Sequence, residues 1–190
     1  MRSKQLLSIA AVVLFTVVGG TQSNAQQPAK NAAVGSPTMN LESEFAFEIR
    51  VALDKTLIVG DSSYGLRRIV PIVGGTVAGA NLNGKIVPGG ADWQFVRADG
   101  AVVVDAKYTL QTDDGVLIMI TNKGIRRGPK EVIERLTRGE KVDPKEYYFR
   151  TVAEFEAPRG SKYEWMNQSL FIGVAERQAN AAVIRLFQLK

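Results

Sequence analysis

The sequence predicts an all-β, mainly antiparallel fold that closes, or nearly closes, into a small barrel of about eight strands. The first indication is a series of β-rich runs at 92–97, 101–110 and 115–122 that are separated by Asp-Gly turns. Asp-Gly is a hairpin signal because glycine adopts the positive φ that tight turns require. The second is the paired glycines Gly74-Gly75 and Gly89-Gly90, which favour bends where a sheet curls. A barrel is preferred to an aligned sandwich because closure removes unpaired sheet edges.

Alternating apolar and polar residues predict the other strands, at 41–53, 55–59, 66–72, 76–80, 85–87, 147–155, 162–175 and 181–189. The run 162–175 is interpreted as one long strand or two broken ones, with Gly173 as a kink. One short helix is predicted near 129–138, because Pro129 suits its first position and Gly139 follows its last turn. We expect this helix to pack across one mouth or edge of the barrel.

Residues 1–25 are predicted to be a signal peptide. Arg2 and Lys4 precede an apolar run at 6–18 that is too short to span a bilayer comfortably, and Ser23-Asn24-Ala25 resembles a cleavage site. The alternative is an uncleaved anchor. Residues 26–40, rich in Gln, Pro and Ala, are predicted to be a flexible linker, followed by a single domain at 41–190. We therefore expect a periplasmic or secreted protein with no integral membrane span after cleavage.

The chain contains no cysteine and no histidine. The first absence excludes disulfides and thiol chemistry, and the second removes the commonest general base near neutral pH and the commonest metal ligand. We therefore expect no cofactor and no metal site, so any catalysis must use carboxylates, Tyr, Lys, Arg or amides. The net charge of +5 becomes +3 once Arg2 and Lys4 leave with the signal segment, because 22 basic residues then face 19 acidic ones. This balance does not favour nucleic-acid binding.

Short motifs along residues 41–190 resemble one known family. They are Gly74-Gly75-Thr76, 88–94, 105–110, Asp114-Gly115, 122–126, 148–151, Trp165-Met166-Asn167 and 171–173. On these motifs the chain is similar to the domain of unknown function 3237 family. The resemblance implies a small single-domain β-barrel, close in architecture to the allene oxide cyclase and dirigent barrels, and it implies no settled activity. Lys107 stands where Arg is common in the family, and Met166 where Leu is common.

Two polar strand residues are predicted to be catalytic if their faces point into the barrel. In an apolar lumen, the pKa of Asp92 would be raised and the carboxyl could act as a general acid or base. Arg150 would then grip an anion or polarise a carbonyl.

Further residues share faces with these two, because side chains alternate between the two sides of a strand. We expect ligand-binding residues at Gln94, Tyr108, Trp165, Asn167 and Glu154. Such a mixed lining suits a small molecule with an apolar body and a carbonyl or carboxylate head.

Each candidate also has a structural interpretation. Asp92 is equally consistent with a turn residue, and Gln94 and Asn167 with groups that satisfy the backbone at bulges. Arg150 and Glu154 could pair across the outer sheet surface.

Other charged residues are interpreted as surface groups. The pair Arg126-Arg127 beside the helix is assigned to solvent, and Asp105 with Lys107 to an exposed ladder of ion pairs.

Three functions follow, in order of preference. The first is an exported barrel that binds a small, partly apolar organic molecule in its lumen. The second is a cofactor-free isomerase, cyclase or lyase that uses carboxylate and Tyr proton transfer, an analogy that rests on fold. The third is a structural or interaction module without a small-molecule site, and a homo-oligomer is kept as an alternative to a monomer.

Overall fold

A computed structural model describes residues 41–190 of the chain. The predicted signal peptide and linker, residues 1–40, lie outside the described residues. The described strands are β1 (Ser43–Leu53), β2 (Leu57–Ser62), β3 (Gly65–Gly79), β4 (Gly84–Val96), β5 (Val102–Thr112), β6 (Leu117–Arg127), β7 (Tyr148–Glu156), β8 (Phe171–Gln178) and β9 (Ala181–Leu189). One α-helix, α1 (Lys130–Thr137), follows β6, and two short 3-10 helices span Pro144–Glu146 and Glu164–Gln168.

Eight of these strands form a closed antiparallel barrel, which confirms the predicted fold class. The strand order is β1-β9-β8-β7-β6-β5-β4-β3, and pairing between β1 and β3 closes the ring. The strand β3 is long enough to do two things: its second half pairs with β1, and its first half pairs with β2. The strand β2 therefore lies outside the ring as a hairpin extension of one wall.

The paired glycines bend two strands, each of which the sequence pattern predicts as two separate runs. The predicted runs 66–72 and 76–80 are one strand, β3, and the runs 85–87 and 92–97 belong to one strand, β4. The register between β3 and β4 shifts between Ile72 and Thr76, across Gly74 and Gly75, whose φ values are 147° and 143°. A Cβ on Gly75 would lie 2.0 Å from the carbonyl oxygen of Arg50, so β1 and β3 could not approach as they do. These glycines bend the wall without ending the strands.

The prediction of a strand over 162–175 is wrong in its first half. A 3-10 helix occupies Glu164–Gln168, and β8 begins at Phe171 and runs to Gln178. Gly173 lies within β8 and allows close packing, because a Cβ there would meet the Thr151 side chain at 2.2 Å. The helix near 129–138 is confirmed, with Pro129 as the residue that precedes its first turn.

The two halves of the barrel interior are filled differently. One half is packed with apolar side chains, including the mutually contacting rings of Phe47, Phe155 and Phe171, with centroids 4.9 to 5.9 Å apart. The other half, where β4 and β6 end and β7 and β9 begin, receives polar side chains as well as apolar ones. Helix α1 follows β6 at this second end, and its buried residues Val132 and Leu136 join the core. No helix within 41–190 has the length and apolarity needed to cross a membrane.

Candidate functional site

The half of the barrel that receives polar side chains contains a partly open cavity. Its volume is about 40 Å³ when counted as space open to the centre of a water molecule, and the space between its walls, including the part open to solvent, is about 480 Å³. The enclosed part is small and continues into the open part, so the cavity suits a small or flat molecule that enters from the open side. The walls are Val51, Leu53, Ile72, Asp92, Gln94, Val104, Ala106, Tyr108, Asn122, Arg126, Phe149, Thr151, Arg177, Ala182 and Ile184.

Asp92 is held in the cavity wall by hydrogen bonds that orient both carboxylate oxygens. Its Oδ1 accepts the backbone N–H of Asp105 on the neighbouring strand at 2.9 Å, and its Oδ2 accepts from Nε2 of Gln94. Gln94 is fixed in turn, since its Oε1 accepts from Nε of Arg68 at 2.9 Å. The bend at Gly89 and Gly90 precedes these residues on β4, which then runs on to Val96 beside β5.

Burial dominates the electrostatics of this carboxyl. It raises the pKa of Asp92 above its ordinary value, although the hydrogen bonds from Gln94 and Asp105 and the charges of Arg126 and Arg68 oppose the rise. Removing a carboxylate from water disfavours its charged form. Asp92 is therefore a group that can carry a proton at a higher pH than a surface aspartate does.

Three arginines converge on the same region. Arg126 is 4% exposed and its guanidinium carbon lies 5.6 Å from the centre of the Phe149 ring. Burial, followed by the like charges of Arg68 and Arg177, lowers the pKa of Arg126 to about 10. Arg177 lines the cavity and donates to the backbone oxygens of Gln178 and Ala181 at the turn into β9.

Four buried polar atoms on the cavity wall have no hydrogen-bond partner among the described residues. They are the Tyr108 hydroxyl, Asn122 Oδ1, Arg126 Nε and Thr151 Oγ1. Folded proteins satisfy nearly all buried polar groups, so a cluster of unsatisfied ones needs an explanation. The four residues stand on the adjacent strands β5, β6 and β7, and all four line the same cavity.

Tyr108 is fully buried within this cluster. Burial raises the pKa of Tyr108 above its ordinary value, and the charge of Asp92 adds to the rise. The Asn122 side chain is close enough to oppose the rise, although it does not reach the geometry of a hydrogen bond to the phenol. The phenol therefore stays protonated and is available as a hydrogen-bond donor to a bound molecule.

The structure brings together some of the predicted site residues and separates others. Asp92, Gln94 and Tyr108 all line the cavity. The predicted inward orientation of Arg150 and Glu154 is wrong, because β7 turns Phe149, Thr151, Ala153 and Phe155 inward and the even-numbered residues outward. Arg150 lies over the ring of Tyr148 on the outer surface, and Glu154 is exposed. The alternation along β7 was predicted, but the choice of the inner face was not correct.

Trp165 and Asn167 also lie away from the cavity, on the 3-10 helix that replaces the predicted strand. Trp165 is 39% exposed and packs against Phe171. Asn167 Oδ1 accepts the backbone N–H of Ala157 at 2.7 Å, and its Nδ2 donates to the Ala157 carbonyl at 2.9 Å. Asn167 therefore satisfies the backbone, which is the structural alternative considered for it.

Sequence reasoning missed the largest part of the site. The prediction that Arg126 is solvated is wrong, and the sequence pattern predicts no role for Asn122 or Thr151, yet all three line the cavity. A signal was present, because Ile118, Ile120, Asn122 and Arg126 are spaced so that they face the same side of one strand. Gly124 interrupts that pattern, since it has no side chain to mark the face.

The arrangement joins a proton-holding carboxyl, a phenol, an amide and guanidinium groups within apolar walls. It can hold a small molecule by a polar head and can move a proton at Asp92. Among residues 41–190, no cluster of acidic, His or Cys side chains is arranged to bind a metal ion.

These observations define a small antiparallel β-barrel with a polar cavity in one half of its interior. A family model described as "Protein of unknown function (DUF3237)" matches residues 41–189, and the chain belongs to this family. A UPF0311 protein of Rhodopseudomonas palustris is 41% identical over 152 residues, which are 80% of this chain and 99% of that protein.

Solved structures share the architecture. The crystal structure of a conserved protein of unknown function from Rhodopseudomonas palustris matches with a TM-score of 0.76 and 41% identity, over 80% of this chain and 99% of that one. A beta-barrel like protein from Acinetobacter baumannii matches with a TM-score of 0.70 and 40% identity, over 80% of this chain and 98% of that one.

A more distant relative is an enzyme. The hydroalkoxylation enzyme phnH of Penicillium herquei is 32% identical over 89 residues, which are 47% of this chain and 59% of that protein. The crystal structure of an enzyme from Penicillium herquei has the same fold, with a TM-score of 0.61 and 22% identity over 83% of this chain and all of that one.

Proposed function

We propose that the barrel binds a small, partly apolar organic molecule in its interior cavity. The observation that carries this proposal is the cluster of unpartnered buried polar atoms on Tyr108, Asn122, Arg126 and Thr151. Leaving such atoms unsatisfied destabilises a protein by about 1–3 kcal/mol each, and a ligand that bonds to them would recover part of this energy. The apolar walls between these atoms would contact the body of the ligand.

Native mass spectrometry of the purified protein against mixtures of small oxygenated aromatic and aliphatic molecules tests the proposal. We expect retained ligands for the unchanged protein and their loss in Asn122→Leu, which fills the cavity with an apolar side chain. Thr121→Leu is the matched control, because Thr121 is the neighbour of Asn122 on β6 and faces outward. A protein that retains no molecule, or an Asn122→Leu variant that retains all of them, would contradict the proposal.

A second candidate function is cofactor-free proton transfer to the bound molecule. It is supported by the carboxyl of Asp92, whose pKa burial raises above its ordinary value, and by the relative named as a hydroalkoxylation enzyme. In such a reaction, protonated Asp92 would donate its proton to one alkene carbon while a hydroxyl oxygen of the same molecule bonds to the other. The hydroxyl proton would return to the carboxylate, so the product is an isomer and no co-reactant is needed.

The test of this second function uses 2-prenylphenol, whose cyclisation to 2,2-dimethylchroman is followed by chromatography. In deuterated water, enzymatic cyclisation should place one deuterium on the ring carbon adjacent to the dimethyl carbon that bonds to oxygen. Asp92→Asn should abolish the reaction. Asp105→Asn should retain it, because the Asp105 side chain points out of the barrel although its backbone N–H bonds to Asp92. Cyclisation at the rate of the protein-free solution would remove this candidate.

We also propose that the protein is exported and acts outside the cytoplasm. The support is the basic start at Arg2 and Lys4, the apolar run at 6–18 and the small residues at Ser23-Asn24-Ala25. N-terminal sequencing of the protein from a cell's periplasm or medium should begin at Gln26. Recovery of a chain that begins at Met1 from the cytoplasm would contradict the proposal.

A further inference from the structure

The charges that face the cavity do not balance. Arg68, Arg126 and Arg177 point at this region, and Asp92 is the carboxyl that faces them among the described residues. Even with Asp92 ionised, the region carries an excess of positive charge. The like charges of Arg68 and Arg177 lower the pKa of Arg126, in addition to the larger effect of burial.

The three arginines differ in how their donors are used. Arg68 donates to Gln94, and Arg177 donates to two backbone oxygens. Arg126 makes neither a side-chain hydrogen bond nor an ion pair within residues 41–190, although it is 4% exposed. Its contact is with the face of the Phe149 ring. The Nε–H of Arg126 is buried without an acceptor, which is costly because this donor has lost its hydration.

Neighbouring groups add to the requirement for an acceptor. The Tyr108 hydroxyl, also on the wall and unpartnered, can donate a hydrogen bond into the same space. Apolar side chains such as Ile72, Val104 and Ile184 enclose the rest of the slot. A small hydrophobic molecule with an oxygen anion would accept hydrogen bonds from both Arg126 and Tyr108, and its apolar part would fill the space between these apolar side chains.

We infer that the ligand class of this cavity is a small organic acid bound as its anion, with the charged oxygen on Arg126. This inference deepens the proposed ligand-binding function and rests on it. A carboxylate, an enolate and a phenolate share the required chemistry. A charge-assisted hydrogen bond of this kind is stronger than a neutral one, so an anion should bind about tenfold or more tightly than its neutral isostere.

The experiment compares matched molecules of different charge by NMR titration at constant ionic strength. Benzoate, benzamide and benzylammonium form one series, and propionate with propionamide repeats the comparison at smaller size. The reporter is the side-chain amide signal of Asn122, which lies in the cavity. For the unchanged protein, we expect benzoate or propionate to saturate this signal at a concentration about tenfold lower than the corresponding amide, and benzylammonium to bind more weakly than both.

A pair of adjacent arginines provides the matched variants. Arg126→Gln removes the buried charge and should abolish the preference for the anion, while the binding of the amides remains. Arg127→Gln removes a charge from the next residue, which faces outward over the Tyr148 ring, and should leave the preference unchanged. If Arg126→Gln does not fold, Arg126→Lys keeps the charge and should keep the preference for the anion. In that case the comparison of anions with amides on the unchanged protein is the test of the inference.

The results distinguish this inference from the ligand-binding proposal on which it rests. If the amides bind as tightly as the anions, or if Arg126→Gln keeps the full preference, the anion assignment is wrong and ligand binding stands. If no molecule of either size shifts the Asn122 signal, both are overturned.

Discussion

At the scale of single residues, burial and hydrogen bonding have opposite effects on the pKa of Asp92. Burial raises the pKa of Asp92 above its ordinary value of 3.8, and the bonds from Gln94 and Asp105 reduce the rise. The folded protein therefore holds this proton more tightly than the unfolded chain does. The stability that this provides is complete below about pH 4 and is lost as the pH rises through the raised native pKa.

Replacing Asp92 by Asn, which cannot ionise, should remove this pH dependence. We expect Asp92→Asn to gain stability relative to the unchanged protein as the pH rises from about 4 to about 8, in urea unfolding at each pH. Asp61→Asn, at an exposed position on β2, controls for the loss of one negative charge. Its free energy of unfolding should differ from that of the unchanged protein by nearly the same amount at every pH. A relative loss of stability by Asp92→Asn with rising pH would contradict the assignment of burial as the dominant effect.

Two buried threonines test whether the unpartnered atoms of the cavity reduce stability. Thr112 and Thr151 are each 3% exposed, but Thr112 Oγ1 bonds to Asp114 and to the Val116 amide, whereas Thr151 Oγ1 has no partner. Thr112→Val should lower the free energy of unfolding by about 1–2 kcal/mol, because satisfied hydrogen bonds are lost. Thr151→Val should be neutral or stabilising by up to about 1 kcal/mol. Equal losses in chemical denaturation would show that Thr151 is satisfied in solution.

At the scale of elements, the bend in β3 lets the barrel close on itself. Gly74 and Gly75 both have positive φ, so a side chain at either position strains the backbone by about 1–3 kcal/mol. They differ in their surroundings: a Cβ on Gly74 would lie 3.9 Å from its nearest neighbour, the carbonyl oxygen of Ile86, and a Cβ on Gly75 would lie 2.0 Å from the carbonyl oxygen of Arg50.

This difference predicts unequal effects of the same substitution. Gly75→Ala should reduce the free energy of unfolding by at least about 2 kcal/mol more than Gly74→Ala, because β1 must move away from β3. Guanidinium denaturation of the two variants measures the difference. Similar losses would indicate that backbone strain alone makes these positions glycine, and that the close approach of the strands is easily relaxed.

At the scale of the whole molecule, closure leaves β2 with an unpaired edge within residues 41–190. Leu57, Ile58 and Val59 on this strand are 55–63% exposed. An exposed apolar strand edge offers free N–H and C=O groups to another strand, and an antiparallel pairing of two copies of β2 is self-complementary. The homo-oligomer considered from the sequence therefore stays a prediction, now with β2 as its interface.

Light scattering after size-exclusion chromatography checks this prediction. The unchanged protein should contain dimers in equilibrium with monomers, and Ile58→Lys should shift it to monomers. Val73→Lys places the same charge at another exposed valine, on β3, and should retain the dimers. A protein that is monomeric at every concentration would contradict pairing through β2.

Much of the architecture follows from local signals. Alternation along β1 and β9, the Asp-Gly turns around β5 and the glycine pairs predicted an antiparallel barrel, because each signal acts within a few residues. The error over 162–175 arose where alternation was weak and one side chain, Asn167, bonds to the distant backbone of Ala157.

Local sequence patterns are sufficient to predict the barrel, its helix and the presence of polar groups on its strands. Which of these groups face the interior depends on packing between strands: Arg126 points inward and Arg150 outward, although both stand in strands with alternating patterns. The physical reason is that alternation fixes which residues share a face, whereas the choice between the two faces depends on what packs against each. For Arg126 that environment is made by residues from other strands, among them Phe149, Arg68 and Asp92.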